Sequence, residues 1–575
     1  MRLRTAGFVF GLAPMLLGAQ PVPAVRSASG IPPAFLLGEF DDDYSGHFSV
    51  SPNAFRQGAK TVYDVVEWNV AGQYLIAQNA ATNARDAGTW TRIDWMPLSD
   101  MPPYAWAFCL SAYKAATREA AIATRVANRA MPRTGCNGFP FSRMKRAEAA
   151  SVATTDNRID VVTPMAPELA AYGKYAIGAR TITVTEKNRP DVLRTKQGQP
   201  TARYDRSLVL EVWYPAAAAA NAPRGGEYRA IIRDPTVTVT LRGQARRDAA
   251  PLQSEGAFPL VIISHGYPGN RFLLSHLGEN LASKGYVVVS IDHTESTYDN
   301  AQAFASTLYN RSLDQLFVLR ELDRLGAASS GSFLSGRVDA SRTGIIGYSM
   351  GGYGAVNVIG GGYRAAAASF PGAPPNQLLL ERSAGNPAYL ASMDARIKAA
   401  VAIGPWGMPA GFWDAAGLSG IRTPTLFVAG SVDEVSGYET GTRAIYRAAV
   451  NADRYLLTFL NAGHNAGAPY PAPAESYVFS EALKSYPFIH YADPVWDTRR
   501  MNNILAHFVT AHLDARVKGD TTRLAYFALV PNGKDGVFAM DVRGAPQATH
   551  TYWKGFKRAT AMGLMLDQEH AAPPP

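Results

Sequence analysis

Residues 344–355 read Gly-Ile-Ile-Gly-Tyr-Ser-Met-Gly-Gly-Tyr-Gly-Ala. The run Thr343–Gly347 is short and apolar, as a strand buried on both faces should be. Directly after it, Gly347-Tyr348-Ser349-Met350-Gly351 is a G-x-S-x-G pattern that opens a helical stretch through Gly351, Gly352 and Ala355. In a chain with 51 glycines the pattern alone says little. The strand before it and the helix after it give it weight. A tight strand-to-helix turn lifts a serine hydroxyl clear of a sheet, and glycines let neighbouring backbone come close. A purely structural glycine turn is the competing reading.

Working outward, the same alternation recurs on both sides. Leu260–Ser264, Tyr286–Ile291, Ala399–Ile403, Thr425–Ala429 and Tyr455–Leu460 are further short apolar runs. Helical stretches such as Leu274–Ser283 and Ser312–Leu325 lie between them, and a helix near Thr498–Val517 follows. Near-continuous apolar strands separated by helices predict an α/β fold, a mostly parallel sheet covered by helices on both faces. Thr181–Thr185, Leu208–Tyr214 and Thr236–Leu241 read as earlier strands.

A serine hydroxyl is a poor nucleophile without an adjacent base. Of ten histidines, His464 in Asn461-Ala462-Gly463-His464-Asn465 sits on a loop directly after a late strand. The base needs a carboxylate on its other ring nitrogen. Asp433, directly after Thr425–Ala429, is the expected partner, with Glu434 as its rival. Attack on a carbonyl also needs N–H groups for the oxygen that becomes negative. Met350 N–H, next to the serine, is one expected donor. Tyr267 N–H, in His265-Gly266-Tyr267-Pro268-Gly269, is the other, since Pro268 has none. His265 is expected to brace that loop. This chemistry calls for no cofactor and no metal.

At these residues the chain resembles a known superfamily. Residues of about 170–515 are similar to α/β-hydrolases, on SHGYPGNRFLLSHLGENLASKGYVVVSIDHTES (264–296) and GIIGYSMGGYGA (344–355). The resemblance runs to dienelactone-hydrolase-like and platelet-activating-factor-acetylhydrolase-like esterases. With Ile403-Gly404-Pro405-Trp406 it also runs to bacterial cutinases and polyester hydrolases. It implies the α/β-hydrolase fold and hydrolysis of a small or polymeric ester through Ser349, Asp433 and His464. It further implies Tyr267, Met350 and Trp406 as substrate contacts, a core tryptophan being the alternative for Trp406. The order Ser349, Asp433, His464 is the order of that superfamily. Two departures matter. Serine stands where dienelactone hydrolases have cysteine, so a dienelactone substrate does not follow. Gly404-Pro405-Trp406 has no carboxylate where the acetylhydrolases place their acid. The same three residues would serve an amidase or peptidase, and a hydrolase fold can also be kept as a binding protein.

The rest of the 575 residues sets limits. Hydrophobic residues at 47% and charged residues at 18% exclude a disordered chain. The net charge of +9 is spread along the sequence, so nucleic acid is not an expected partner. No apolar run is long enough for a transmembrane helix. Arg2 and Arg4, the apolar run Ala6–Leu17 and small residues at Ala19 or Val22-Pro23-Ala24 read as a cleaved export signal over residues 1–24. The expected location is therefore periplasmic or secreted. Only Cys109 and Cys136 are present, which excludes a disulfide-dense scaffold and a Cys-rich zinc site. Export favours a bond between them over two buried thiols.

Residues 35–145 are expected to form a small β-rich module, lipocalin-like in outline. Its strands are expected at His47–Val50, Thr61–Trp68, Gln73–Gln78 and Thr89–Met96, and an Ala-rich helix at Tyr113–Ala130. Asp41-Asp42-Asp43 reads as a solvated turn or, less simply, a cation site. Residues 146–165 read as a linker, 166–518 as the catalytic domain and 519–575 as a C-terminal extension. That extension is expected to carry one strand-like run, Ala525–Val530, and a disordered end, Ala571–Pro575. The long segments Gly360–Lys398 and Ala466–Asp497 are expected to wall the site.

Overall fold

The computed structural model describes residues 30–572, apart from 45, 59–60, 100, 147–156, 218–224 and 254. The expected export signal therefore lies outside the described residues, as do 573–575 and much of the expected linker. The chain divides into two units, residues 1–153 and 154–575.

In the first unit, strands with alternating burial close on themselves. They are β1 (Gly38–Asp42), β2 (His47–Ser51), β3 (Ala54–Gln57), β4 (Thr61–Asn69), β5 (Tyr74–Asn79), β6 (Trp90–Pro97), β7 (Tyr104–Ala115) and β8 (Ser142–Arg146). Each pairs antiparallel with the next, and β8 returns to β1, giving a closed barrel with no open edge. Inward aromatic side chains fill it. Phe48 and Phe55 each meet Phe108 edge-on at 5.3 Å, and Phe40 meets Trp106 at 5.2 Å.

The Ala-rich helix expected over Tyr113–Ala130 is not what forms. β7 runs on to Ala115, because β6 supplies its hydrogen-bonding partners there, Trp90 facing Ala115 and Arg92 facing Ala112. Helix α1 covers only Arg118–Ile122, capped by Thr117. The following segment is pulled onto the barrel wall instead. Arg129 donates to Trp95 O (2.9 Å), Gln73 O (2.7 Å) and the buried Asp94 (3.0 Å). Cys136 is disulfide-bonded to Cys109 of β7. The acidic turn is satisfied from within. Asp41 faces His47, Asp42 accepts from Tyr44 N and Gly46 N, and Asp43 pairs with Arg143.

The second unit is built on a ten-stranded sheet. Its strands are β9 (Ala176–Pro190), β10 (Arg203–Ala216), β13 (Arg246–Arg247), β14 (Phe258–Ser264), β15 (Val287–Asp292), β16 (Val338–Tyr348), β17 (Ile397–Ile403), β18 (Thr425–Gly430), β19 (Arg454–Phe459) and β20 (Leu564–Glu569). β11 (Gly226–Ile231) and β12 (Thr238–Gly243) form a separate hairpin. The sheet order is β13-β9-β10-β15-β14-β16-β17-β18-β19-β20. The six strands from β15 to β19 are parallel, and antiparallel strands flank them at β10 and β20.

Burial on both faces explains the unbroken apolar runs. Val261 and Ile263 of β14 join the core beneath α2 (Ser275–Ala282) and α8 (Thr498–Arg516). Leu260 and Ile262 join the opposite core, beneath α3 (Phe304–Gly326), α4 (Met350–Val358) and α7 (Arg443–Ala448). The short α5 (Pro387–Ala391) and α6 (Ala415–Leu418) lie in the connections between α4 and β18. This is the α/β-hydrolase architecture.

The described part of the C-terminal extension, residues 519–572, packs into the second unit. β20 pairs antiparallel with β19, and Trp553 and Phe556 pack against Phe508 of α8. The expected strand at Ala525–Val530 is instead the end of a 3₁₀ turn and irregular chain, with Phe527 packed against Tyr455 and Phe508. Ala571 and Ala572 are tied down by Asp453 and Val450 O. Among the described residues no helix is long and apolar enough to cross a membrane.

Candidate active site

The loops after β14, β16, β18 and β19 all lie at the carboxyl ends of neighbouring parallel strands. That edge is where open α/β sheets bind ligands. Ser349 occupies the turn from β16 to α4 with φ 54° and ψ −114°, a backbone that serine rarely adopts. Hydrogen bonds hold it there: Ser349 N–H donates to Ile403 O (2.8 Å), and Ser349 O accepts from Tyr353 N–H (2.9 Å). The flanking glycines are obligatory. A Cβ on Gly347 would stand 2.2 Å from Gly351 O, and one on Gly351 would stand 1.9 Å from Ser264 O.

His464 stands on the loop after β19. Its Nδ1 lies 2.9 and 3.0 Å from the two carboxylate oxygens of Asp433. Asp433 Oδ1 also accepts from Val435 N–H (2.9 Å) and Ser436 N–H (2.8 Å). Burial would raise the Asp433 carboxyl, but His464 and these N–H groups outweigh it and hold it below the usual carboxylate range. Glu434 is exposed and makes no hydrogen bond to His464 among the described residues. Ser349 and His464, 8% and 9% exposed, open onto one cleft of about 340 Å³. Ser349 Oγ has no hydrogen-bond partner among the described residues and faces that cleft.

The loop after β14 lies against the serine: a Cβ on Gly266 would be 3.3 Å from Ser349 Cβ. Tyr267 lines the cleft. Met350 is the first residue of α4, so its N–H has no partner within the helix. Trp406 stands beside the serine: its backbone N–H donates to Ser349 O (3.3 Å), and its half-buried ring meets Phe304 (5.4 Å), Phe412 (5.3 Å) and Phe370 (6.0 Å), Phe304 in turn meeting Tyr267 at 5.2 Å. Of the two long segments, 466–497 supplies Leu483, Ser485, Tyr486, Pro487, Ile489 and His490 to the cleft. Segment 360–398 supplies none. Tyr363, Leu379 and Tyr389 bury it on the α4 side of the sheet instead.

His265 donates from Nδ1 to Gly266 O (2.6 Å), and its Nε2 accepts from His293 N–H (3.3 Å). Behind it lies an unforeseen second Ser–His–Asp arrangement. Ser264 Oγ is 2.8 Å from His293 Nε2, and His293 Nδ1 is 2.9 Å from Asp314 Oδ2. Arg206 grips both oxygens of Asp314 at 2.8 and 2.9 Å, and Arg311 donates to His265 O at 2.8 Å. All of these side chains are buried, so they brace the loop and meet no substrate. The sequence held a signal for His293, in the stretch 264–296. It held none for Arg206 or Asp314, which meet only in the folded chain.

A further latch joins the wall to the histidine loop. Tyr348 OH donates to Asn465 Oδ1 (2.9 Å), and Asn465 Nδ2 donates to Ile489 O (2.9 Å) and Ala492 O (2.7 Å). Asp493 accepts from Gly463 N–H at 2.7 Å.

Residues 215–378 match a family model described as PETase, PET hydrolase-like. The chain is 26% identical over 215 residues to Cutinase est1 of Thermobifida alba, covering 37% of this chain and 56% of that protein. It is 28% identical over 194 residues to Cutinase 2 of Thermobifida cellulosilytica, covering 34% and 55%. It is 28% identical over 212 residues to a bis(hydroxyethyl) terephthalate hydrolase of Streptomyces coelicolor, covering 37% and 52%. The chain thus spans about half the length of the relatives it matches. A ferulic acid esterase structure from Streptomyces cinnamoneus aligns over 62% of this chain and 94% of its own, at 22% identity and a TM-score of 0.41. The second unit thus has the α/β-hydrolase fold, and part of its sequence is similar to bacterial cutinases.

Proposed function

We propose that the chain is an exported serine hydrolase that cleaves carboxylic esters through an acyl-enzyme. Ser349 Oγ attacks the ester carbonyl while His464 takes its proton, and Asp433 orients the imidazole and stabilises its charged form. The N–H groups of Tyr267 and Met350 hold the oxyanion. His464 then gives the proton to the departing alcohol, water enters by the same route in reverse, and the acid leaves. The observation that carries this reading is the Asp433–His464 pair at 2.9 Å, opening on the same cleft as Ser349. The names of the relatives, cutinases and a terephthalate ester hydrolase, support an ester substrate.

The test is Ser349→Ala assayed on 4-nitrophenyl butyrate. Loss of kcat by at least about a thousandfold is expected, since the nucleophile acts as a unit with its base. Labelling by a fluorophosphonate is expected in the wild type and absent in His464→Ala. Full activity of Ser349→Ala would overturn the proposal.

A further inference from the structure

Arg233 lies in the turn between β11 and β12 and stands on the wall of the cleft that holds Ser349 and His464. Its backbone is held firmly. Arg233 N–H donates to Tyr491 OH (2.9 Å), Ile232 N–H to Val237 O (3.1 Å), and Asn270 Nδ2 to Ile231 O (2.8 Å). Its guanidinium has no acceptor and no carboxylate partner among the described residues. The adjacent Asp234 is spent on its own turn, accepting from Thr236 N–H (3.0 Å) and Thr236 Oγ (2.7 Å). Other arginines near the site are used: Arg206 on Asp314, Arg271 on Asp292, Arg311 on His265 O.

No other group on that wall supplies a counter-charge. His490, 2.8 Å from Tyr298 OH, is kept neutral by burial and by Arg233 itself, which push it down to about 3. Tyr267 and Tyr491 are neutral phenols, both pushed up by burial. The carboxylate that shares the cleft, Glu434, is exposed on the rim and forms no ion pair with Arg233 among the described residues. A half-buried cation without a partner loses hydration unless an incoming anion restores what was lost.

Resting on the ester-hydrolase reading, we infer that Arg233 is a specificity-determining residue that binds the carboxylate of an anionic ester while Ser349 acts on the ester carbonyl. The carboxylate belongs either to the acyl half, as in a half-ester of a dicarboxylic acid, or to the alcohol half, as in an acylated hydroxy acid.

Two matched substrate pairs separate these sources. Mono-4-nitrophenyl adipate against 4-nitrophenyl hexanoate reads the acyl half. 4-Acetoxybenzoate against 4-acetoxybenzamide reads the alcohol half. The readout is the anionic-to-neutral ratio of kcat/KM. In Arg233→Gln this ratio is expected to fall about ten- to a hundredfold in one pair, the worth of a charge-assisted hydrogen bond, chiefly through KM. Arg233→Lys should keep part of it, and salt should lower it in the wild type. A ratio within twofold of wild type in both pairs would overturn the inference. Calorimetry with adipate and benzoate keeps the two readings apart. Arg233-dependent binding without any Ser349-dependent turnover would sink the hydrolase reading and leave the anion site standing. Ser349-dependent turnover with an unchanged ratio would do the reverse.

Discussion

At the scale of the residue, the site depends on one strained backbone and two interchangeable-looking carboxylates. Asp433 and Glu434 are neighbours in sequence, and the residue types alone do not choose between them. The backbone chooses: Asp433 turns inward to accept from His464, Val435 and Ser436, and Glu434 turns out to solvent. Asp433→Asn should lower kcat by about 10³- to 10⁴-fold, because an amide favours the wrong imidazole tautomer. Glu434→Gln should cost less than about tenfold. Steady-state kinetics on one neutral ester checks both, and equal losses would remove the assignment. Ser349 itself was legible because its motif is local: the glycines, the serine and the strand before them are contiguous. Arg233 was not, because nothing nearby in the sequence distinguishes a cleft arginine from a surface one.

At the scale of the element, the loop after β14, which carries Tyr267, is held from behind. Asp314 on α3 joins His293 after β15, Arg206 on β10 and, through His293, Ser264 at the end of β14. Burial alone would raise the Asp314 carboxyl, but Arg206 and His293 outweigh it and hold it far below the usual range. Asp314→Ala removes the closest carboxylate from the buried Arg206, leaving it Glu295 at 3.3 Å, and should cost about 3 kcal/mol. A shift of the urea midpoint measures this, and an unchanged midpoint would show that the network carries no load. The parallel strands were readable because burial on both faces leaves a continuous apolar run. The helix expected at Tyr113–Ala130 was misread for the opposite reason. Alanines at helical spacing constrain little, and the pairing of β7 with β6 took the segment's first residues. The role of segment 466–497 as a cleft wall depends on Asn465 and Asp493, whose hydrogen bonds to residues far away in the sequence leave no periodic trace.

At the scale of the whole molecule, the second unit holds six of the chain's ten histidines neutral, five in its interior and the half-buried His490 on the cleft wall. Burial is the first cause in every case. His276, His293, His490 and His507 are pushed down to about 3, His512 to about 4, and His265 well below its usual range. In the unfolded chain each returns to the ordinary value of 6.5. As pH falls below 6.5 the unfolded chain takes up protons that the native unit refuses, so stability drops until the native values are reached. Each histidine contributes at most about 1.4 kcal/mol per pH unit. Against a typical stability of about 5–15 kcal/mol, several such histidines acting together weaken the unit markedly as pH falls below 6.5. Thermal melts should show Tm falling steeply from pH 6.5 to 4.5, and a flat Tm over that range would contradict this.

The sequence by itself determined the parallel sheet, the serine turn and the loops that carry Asp433 and His464. Each of these is written in a few contiguous residues, by apolar runs and by glycines where no Cβ fits. Tertiary structure alone decided the closure of the barrel, the capture of the C-terminal tail as a sheet edge, the buried brace behind His265 and the free cation at Arg233. These arise from pairings between residues far apart in the chain, where one side chain's role is set by a partner that no local pattern names.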